Sequence, residues 1–204
     1  RPIRCGANEE HRPRVSVPAR QIHPEAHPAS RGFQDPRWPR WDNRRVKPAQ
    51  PPTAGELLVC TTQGAKDFFD QSVVLLLDCD QDGALGVTLN KLAETPLAAV
   101  LPDWVDLVAP PRVLFTGGPV SPHGAVCVAK VADPAEEPPG WRRVIGDIGL
   151  LHLDPPVELA AGGYTALRIY AGYSGWSPGQ LEDELARGQW YRMDSREDDI
   201  FTAD

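Results

Sequence analysis

From Gly172 to Leu185 the chain reads Gly-Tyr-Ser-Gly-Trp-Ser-Pro-Gly-Gln-Leu-Glu-Asp-Glu-Leu, and few ways of folding such a stretch are open. It predicts a strand exit, a tight glycine-bearing loop and a helix start in immediate succession. Ser177 suits the N-cap, where its hydroxyl would accept an unpaired N–H of the first turn. Pro178 then falls at the first helical position, and Gln180 completes a Ser-x-x-Gln capping box. Glu182, Asp183 and Glu184 favour the positive end of the helix dipole, Arg187 favours the negative end, and Gly188 is placed to end the helix. Leu181 and Leu185 share one face and give the helix something to bury. Trp176 and Trp190 bracket it, and Trp176 is expected to be largely buried.

Charge divides the chain. Residues 1–52 carry 11 basic and 5 acidic groups, a formal +6, with ten of the 22 prolines and few aliphatic residues. Such a segment buries too little apolar surface to offset its ordering entropy, so it is expected to be a disordered basic arm. Its functional alternative is an arm that meets nucleic acid or an acidic partner. Residues 53–204 carry 10 basic and 23 acidic groups, a formal −13, which repels phosphate and argues against nucleic-acid binding by this part. Cys5, Cys60, Cys79 and Cys127 form no Cys-x-x-Cys pair, so buried free thiols are expected rather than a zinc site. No apolar run approaches the length of a membrane span, and no signal-peptide pattern is present, so a cytoplasmic location is expected.

The order of elements from Gly55 is mixed. Strands are predicted at Glu56–Cys60, Ser72–Leu77, Ala84–Leu89, Arg112–Thr116, Ala125–Val131, within Trp141–Leu153, at Ala166–Ala171 and at Gln189–Met193. The Ser72–Leu77 run is continuously apolar, as in a strand covered on both faces. Asp78 to Gly83 reads as a hairpin turn. Thr95-Pro96 predicts a short helix through Leu101, and Asp154 caps another over 155–161. With seven or eight short strands, three short helices and no βαβ repeat, the expected class is α+β with a mixed, strongly bent sheet.

Five blocks in order resemble the bacterial YqgE/AlgH family. They are Gly55-Glu56-Leu57-Leu58-Val59, Ser72-Val73-Val74-Leu75-Leu76, Asp82 to Asn90, Phe115-Thr116-Gly117-Gly118-Pro119-Val120, and the stretch beginning at Gly172. The resemblance covers Gly55 to Trp190. It implies a single domain, residues 53–204, whose bifurcated sheet curls into a pseudo-barrel, with a family pattern that continues past Asp204. Family members are often labelled transcriptional regulators, and no molecular activity is attached to the resemblance.

Gly172-Tyr173-Ser174-Gly175-Trp176 approaches the Gly-x-Ser-x-Gly elbow of serine hydrolases, with Trp176 in the second glycine's place. His123 and His152 would be the candidate bases of a hydrolase or transferase centred on Ser174. Against that, Ser174 reads as a loop residue bonded to its own backbone. Gly117-Gly118 offers either an anion-binding nest or positive φ in a crowded turn. Asp78, Asp80 and Asp82 imitate half a calcium loop but lack its closing Glu, and read as a solvated turn. Asn90 fixes a turn after its strand. The expectation is a non-catalytic protein, without metal or cofactor, that binds a protein partner or small ligand in a regulatory setting. Its candidate surface is Asn90, Gly117, Gly118, Ser174, Trp176, Gln180 and Glu182. An enzyme is the alternative and a direct DNA-binding regulator the third.

Overall fold

Alternation along the apolar strands decides the architecture. Leu57, Leu75 and Leu77 belong to one buried cluster, whereas Leu58, Val74 and Leu76 belong to another on the opposite face. Successive strand residues point to opposite faces, so a continuous apolar run means a sheet covered on both sides. The computed structural model describes residues 50–61, 67–154 and 156–201. Most of the expected basic arm therefore lies outside the described residues.

Nine strands are described: β1 (Glu56–Cys60), β2 (Val73–Asp80), β3 (Gly83–Thr88), β4 (Phe115–Thr116), β5 (Val120–Val131), β6 (Trp141–Ile145), β7 (Ile148–Leu151), β8 (Tyr164–Trp176) and β9 (Trp190–Asp194). Eight follow one hydrogen-bonded path, β6-β7-β5-β8-β3-β2-β1-β9, all antiparallel. The two-residue β4 pairs parallel to β8, which makes the sheet mixed. β8 is the shared strand. Tyr164 to Tyr173 pair with β5, and Ser174 to Trp176 pair with β3, so the sheet forks along its length. Its two wings curl towards each other into a half-barrel. Arg142 of β6 reaches Asp78 of β2 at 3.0 Å. A Cβ on Gly55, just before β1, would lie 2.7 Å from the Ile145 side chain at the end of β6.

Three cores result. The half-barrel interior holds Leu57, Leu75, Val87, Phe115, Val128, Tyr170 and Met193. Outside the β5–β8 wing, Cys127, Ala129, Leu167 and Ile169 pack under Leu97 and Trp104. Outside the other wing, Leu58, Val74 and Leu76 pack under Trp176, Leu181 and Trp190. The short helices are α1 (Leu97–Val100), α2 (Gln180–Ala186) and α3 (Glu197–Phe201). This is the expected α+β class with a bent, forked sheet.

Several boundaries differ from the sequence expectation. The signature is not strand, loop and helix from Gly172 onward. β8 runs on through Trp176, because Ser174 and Trp176 find ladder partners in Gly86 and Ala84. The turn is Ser177-Pro178-Gly179, and Gly179, at φ +76°, precedes the first helical residue, Gln180. Pro178 therefore lies ahead of the helix, and the N-cap is Gly179, which has no side chain to cap with, rather than Ser177. Half of the capping box survives: the Ser177 N–H donates to Gln180 Oε1 at 3.0 Å. The other end is as expected. The N–H groups of Gly188 and Gln189 bond to the carbonyls of Leu185 and Glu184, with Gly188 at φ +69°.

α1 starts after Pro96 rather than being capped by Thr95. The expected strand from Arg112 shrinks to β4, because the Val113 N–H turns back to the Pro111 carbonyl. The helix expected after Asp154 is a single 3₁₀ turn, Val157–Leu159, preceded by Pro156; Pro155 lies outside the described residues. β5 begins five residues before Ala125 through a bulge between Val120 and Ala125.

The segment leading into β1 is tied down by a buried ion pair. Arg192 Nε and Nη2 reach Glu56 Oε2 at 2.8 and 2.7 Å, both side chains being nearly solvent-free. The same guanidinium donates to the carbonyls of Gln50 and, at 2.9 Å, Pro51, while the Thr53 hydroxyl donates to Glu56 Oε1. Pro52 is buried. A chain beginning at Thr53 is thus expected to melt below one beginning at Gln50, by about 1–3 kcal/mol, since two charge-assisted hydrogen bonds go. Superimposable thermal melts of the two would show that this strap contributes nothing.

Candidate functional site

Three of the family-like blocks converge on a single carbonyl. Gly117 O accepts the Thr88 N–H at 2.8 Å and the Ser174 hydroxyl at 3.0 Å. The Gly117 N–H in turn donates to Ala171 O at 2.8 Å. The end of β3, the turn after β4 and the second half of β8 are stitched together here. Gly117 and Gly118 are glycines because of close approach. A Cβ on Gly117 would sit 2.3 Å from Gly172 O, and one on Gly118 would sit 2.0 Å from the Tyr173 carbonyl carbon. Neither has a positive φ, which corrects the turn expected from sequence. With its N–H bonded to Ala171, Gly117 contributes no free donor to an anion nest.

Ser174 lies inside a regular strand and has no solvent exposure. Its hydroxyl is bonded to a backbone carbonyl 57 residues away rather than to its own loop. A nucleophile elbow needs a strained turn that lifts the hydroxyl out of the sheet. Here the residue with positive φ is Gly172, at +68°, two positions earlier, a conformation glycine adopts freely. His123 and His152 are both exposed, and among the described residues neither bonds to Ser174.

Beside this junction stands an aromatic cluster. Trp176 and Trp190 meet edge to face at 5.9 Å between centroids, and Phe69 contacts them at 6.1 and 5.3 Å. Both indole N–H groups donate to the same carboxylate oxygen, Glu184 Oε2, each at 2.8 Å. Gln180 Nε2 donates to the other oxygen at 2.9 Å. Buried indoles need such an acceptor. Sequence reasoning assigned Glu184 to the helix dipole and missed this role. The available signal was its position three residues after Leu181, on the flank of the apolar stripe.

Asn90 does what its type suggests. Its Oδ1 accepts the Val73 N–H at 3.0 Å, and its Nδ2 donates to Gln71 O at 2.8 Å. Next to it Lys91 donates to Asp70 O at 3.2 Å and lies 5.5 Å over the Phe68 ring. Of the seven candidate residues, Gly117, Gly118, Ser174 and Trp176 are buried, while Asn90, Gln180 and Glu182 are exposed.

The aspartates of the β2–β3 hairpin are used in the turn and across the barrel. Asp80 Oδ1 accepts the Asp82 N–H at 2.8 Å, and Asp78 pairs with Arg142. The Cys79 thiol is pushed up by burial first and then by the negative charges of Glu182, Glu56, Asp80 and Asp78. Cys79 packs in the same outer cluster as Leu181 and Leu185, which sets the β2–β3 hairpin beside α2. Burial alone pushes the Cys127 thiol up. Cys60, Cys79 and Cys127 are all free thiols.

A family model described as AlgH-like matches residues 57–204. The chain belongs to the AlgH-like family. A UPF0301 protein of Streptomyces coelicolor is 50% identical over 149 residues, covering 72% of this chain and 77% of that one. A UPF0301 protein of Mycobacterium tuberculosis is 41% identical over 155 residues, covering 74% and 76%. Among solved structures, a Corynebacterium diphtheriae protein matches this AlgH-like chain with a TM-score of 0.70 at 27% identity, covering 75% of this chain and 81% of that one. The solution structure of AlgH from Pseudomonas aeruginosa matches with a TM-score of 0.57 at 24% identity, over 76% and 85%, a likeness of fold. No helix among the described residues is long and apolar enough to cross a membrane.

Proposed function

We propose that this AlgH-like protein acts by binding rather than catalysis, engaging a protein partner or a small ligand in the cytoplasm, in a regulatory role. The observation that carries this reading is the commitment of the Ser174 hydroxyl. It is buried in a strand and bonded to Gly117 O, so the residue a hydrolase would rely on works as a fastener between three chain segments. The hydroxyl chemistry of the motif is thereby consumed in holding the three segments together. The binding surface is offered by Asn90, Gln180 and Glu182, with Gly117, Gly118, Ser174 and Trp176 as the frame behind it. Its acidic character, from Glu182, Asp183 and the hairpin aspartates, favours a partner that carries positive charge.

Photo-crosslinking tests this directly. With a photoreactive residue at position 180 or 182 of the full chain, a discrete adduct is expected, and Asp183→Lys should suppress it. Absence of any adduct from either position, together with a turnover reaction abolished by Ser174→Ala, would replace binding by catalysis.

A further inference from the structure

Independently of that surface, we propose that the half-barrel interior binds the carboxylate of a small amphipathic molecule, held by Tyr170 and Arg168 and covered by α3. The starting point is a phenol whose O–H finds no acceptor, because its charged neighbour, the Arg168 guanidinium, can only donate. Tyr170 has no solvent exposure, its ring packs among Leu75, Val87 and Phe115, and its hydroxyl makes no hydrogen bond of ordinary geometry. A phenylalanine would fill the same volume without the cost of desolvating that group. A buried polar atom of this kind calls for a function or a visiting partner.

Its neighbour supplies the sign of the charge. Arg168, two residues earlier on the same face of β8, is also nearly solvent-free. Its guanidinium lies 4.6 Å over the Phe115 ring and donates to the carbonyls of Ile200 at 2.8 Å and Pro110 at 3.4 Å. Both groups lie against the Phe115 ring, Arg168 at 4.6 Å and the Tyr170 ring at 5.8 Å between centroids, and the positive charge pulls against the upward push of burial on the phenol. A phenolic donor beside a guanidinium fork, in apolar surroundings, is a receptor for a carboxylate on an apolar tail.

The way in is suggested by what covers the interior. α3 is five residues long, and Ile200 and Phe201 send their apolar side chains into the same core. From outside it is held by rim contacts: Glu197 pairs with Lys130 of β5 at 2.6 Å, and Ser195 donates to Gly55 O. The Arg168 bond to Ile200 O joins the lid to the receptor, so an arriving carboxylate competes for the guanidinium that fastens α3. Ile200 and Phe201 occupy the place an apolar tail would take.

Decanoate is the probe, titrated calorimetrically into the full chain, with decanol as the uncharged control. Decanoate should bind and decanol should bind at least tenfold more weakly. Tyr170→Phe should fold at least as stably as the parent and lose about tenfold in decanoate affinity, the worth of one hydrogen bond to a charged group. Amide exchange in α3 should speed up on saturation with decanoate. The proposal fails if decanoate does not bind at millimolar concentration, if decanol binds equally well, or if Tyr170→Phe binds as the parent does.

Discussion

Trp176→Ala is expected to destabilise the protein by about 3–5 kcal/mol, enough to unfold a domain of ordinary marginal stability. The indole is buried, packs on Phe69 and Trp190, and caps the outer core formed by Leu58, Val74, Leu76 and Leu181. Truncation would leave a cavity there and remove one of the donors that hold Glu184. Ser177→Ala, by contrast, should change stability by only a few tenths of a kcal/mol, because Ser177 is exposed and lies two residues ahead of the N-cap, Gly179. Denaturant titrations of the two variants separate these effects. Equal midpoints would mean that Trp176 is a recognition element and not an anchor.

A loss of similar size is expected for Arg192→Ala. Removing the guanidinium leaves the Glu56 carboxylate buried beside β9 with the Thr53 hydroxyl still on its other oxygen. Breaking one side of a buried pair typically costs about 3–5 kcal/mol, much of it the burden of the charge left behind. The strap at Gln50 and Pro51 would be released at the same time. The double replacement Glu56→Leu with Arg192→Met should therefore recover much of the loss, since it leaves no uncompensated charge. A double-mutant cycle decides the matter: additive losses would show that the two side chains do not act as a pair.

The sequence made some parts of this fold readable and hid others, for identifiable reasons. β1 was bounded correctly by its apolar run between Gly55 and Thr61; the β2–β3 hairpin was foreseen from its Asp-Gly turn, but β2 runs on to Asp80 because Asp78, Cys79 and Asp80 pair with Leu85, Ala84 and Gly83. The α2 C-terminus followed from Gly188, whose type matches its left-handed conformation. The start of α2 was misplaced because Ser-Pro preceding a helix satisfies the local rules equally well two residues earlier. What decided it was tertiary, the pairing of Ser174 and Trp176 with β3. Long-range pairing likewise turned an apparent glycine loop into strand. Gly117 and Gly118 looked like turn glycines, yet a backbone contact across 55 residues sets their need for a missing Cβ. Glu184 and Arg192 were invisible as partners because Trp176, Trp190 and Glu56 meet them only after folding.

The role of Ser174 is open to one direct measurement. The full chain is incubated with a serine-reactive fluorophosphonate, and peptide mass spectrometry reads the adducts, with Ser174→Ala in parallel. A hydroxyl buried in β8 and bonded to Gly117 O should stay unlabelled while the protein is folded. Ser174→Ala should cost only about 1 kcal/mol in stability, the usual worth of one such hydrogen bond. A stoichiometric adduct on Ser174 of the native protein, absent from the alanine variant, would mean that this serine is a nucleophile and that the binding reading is wrong.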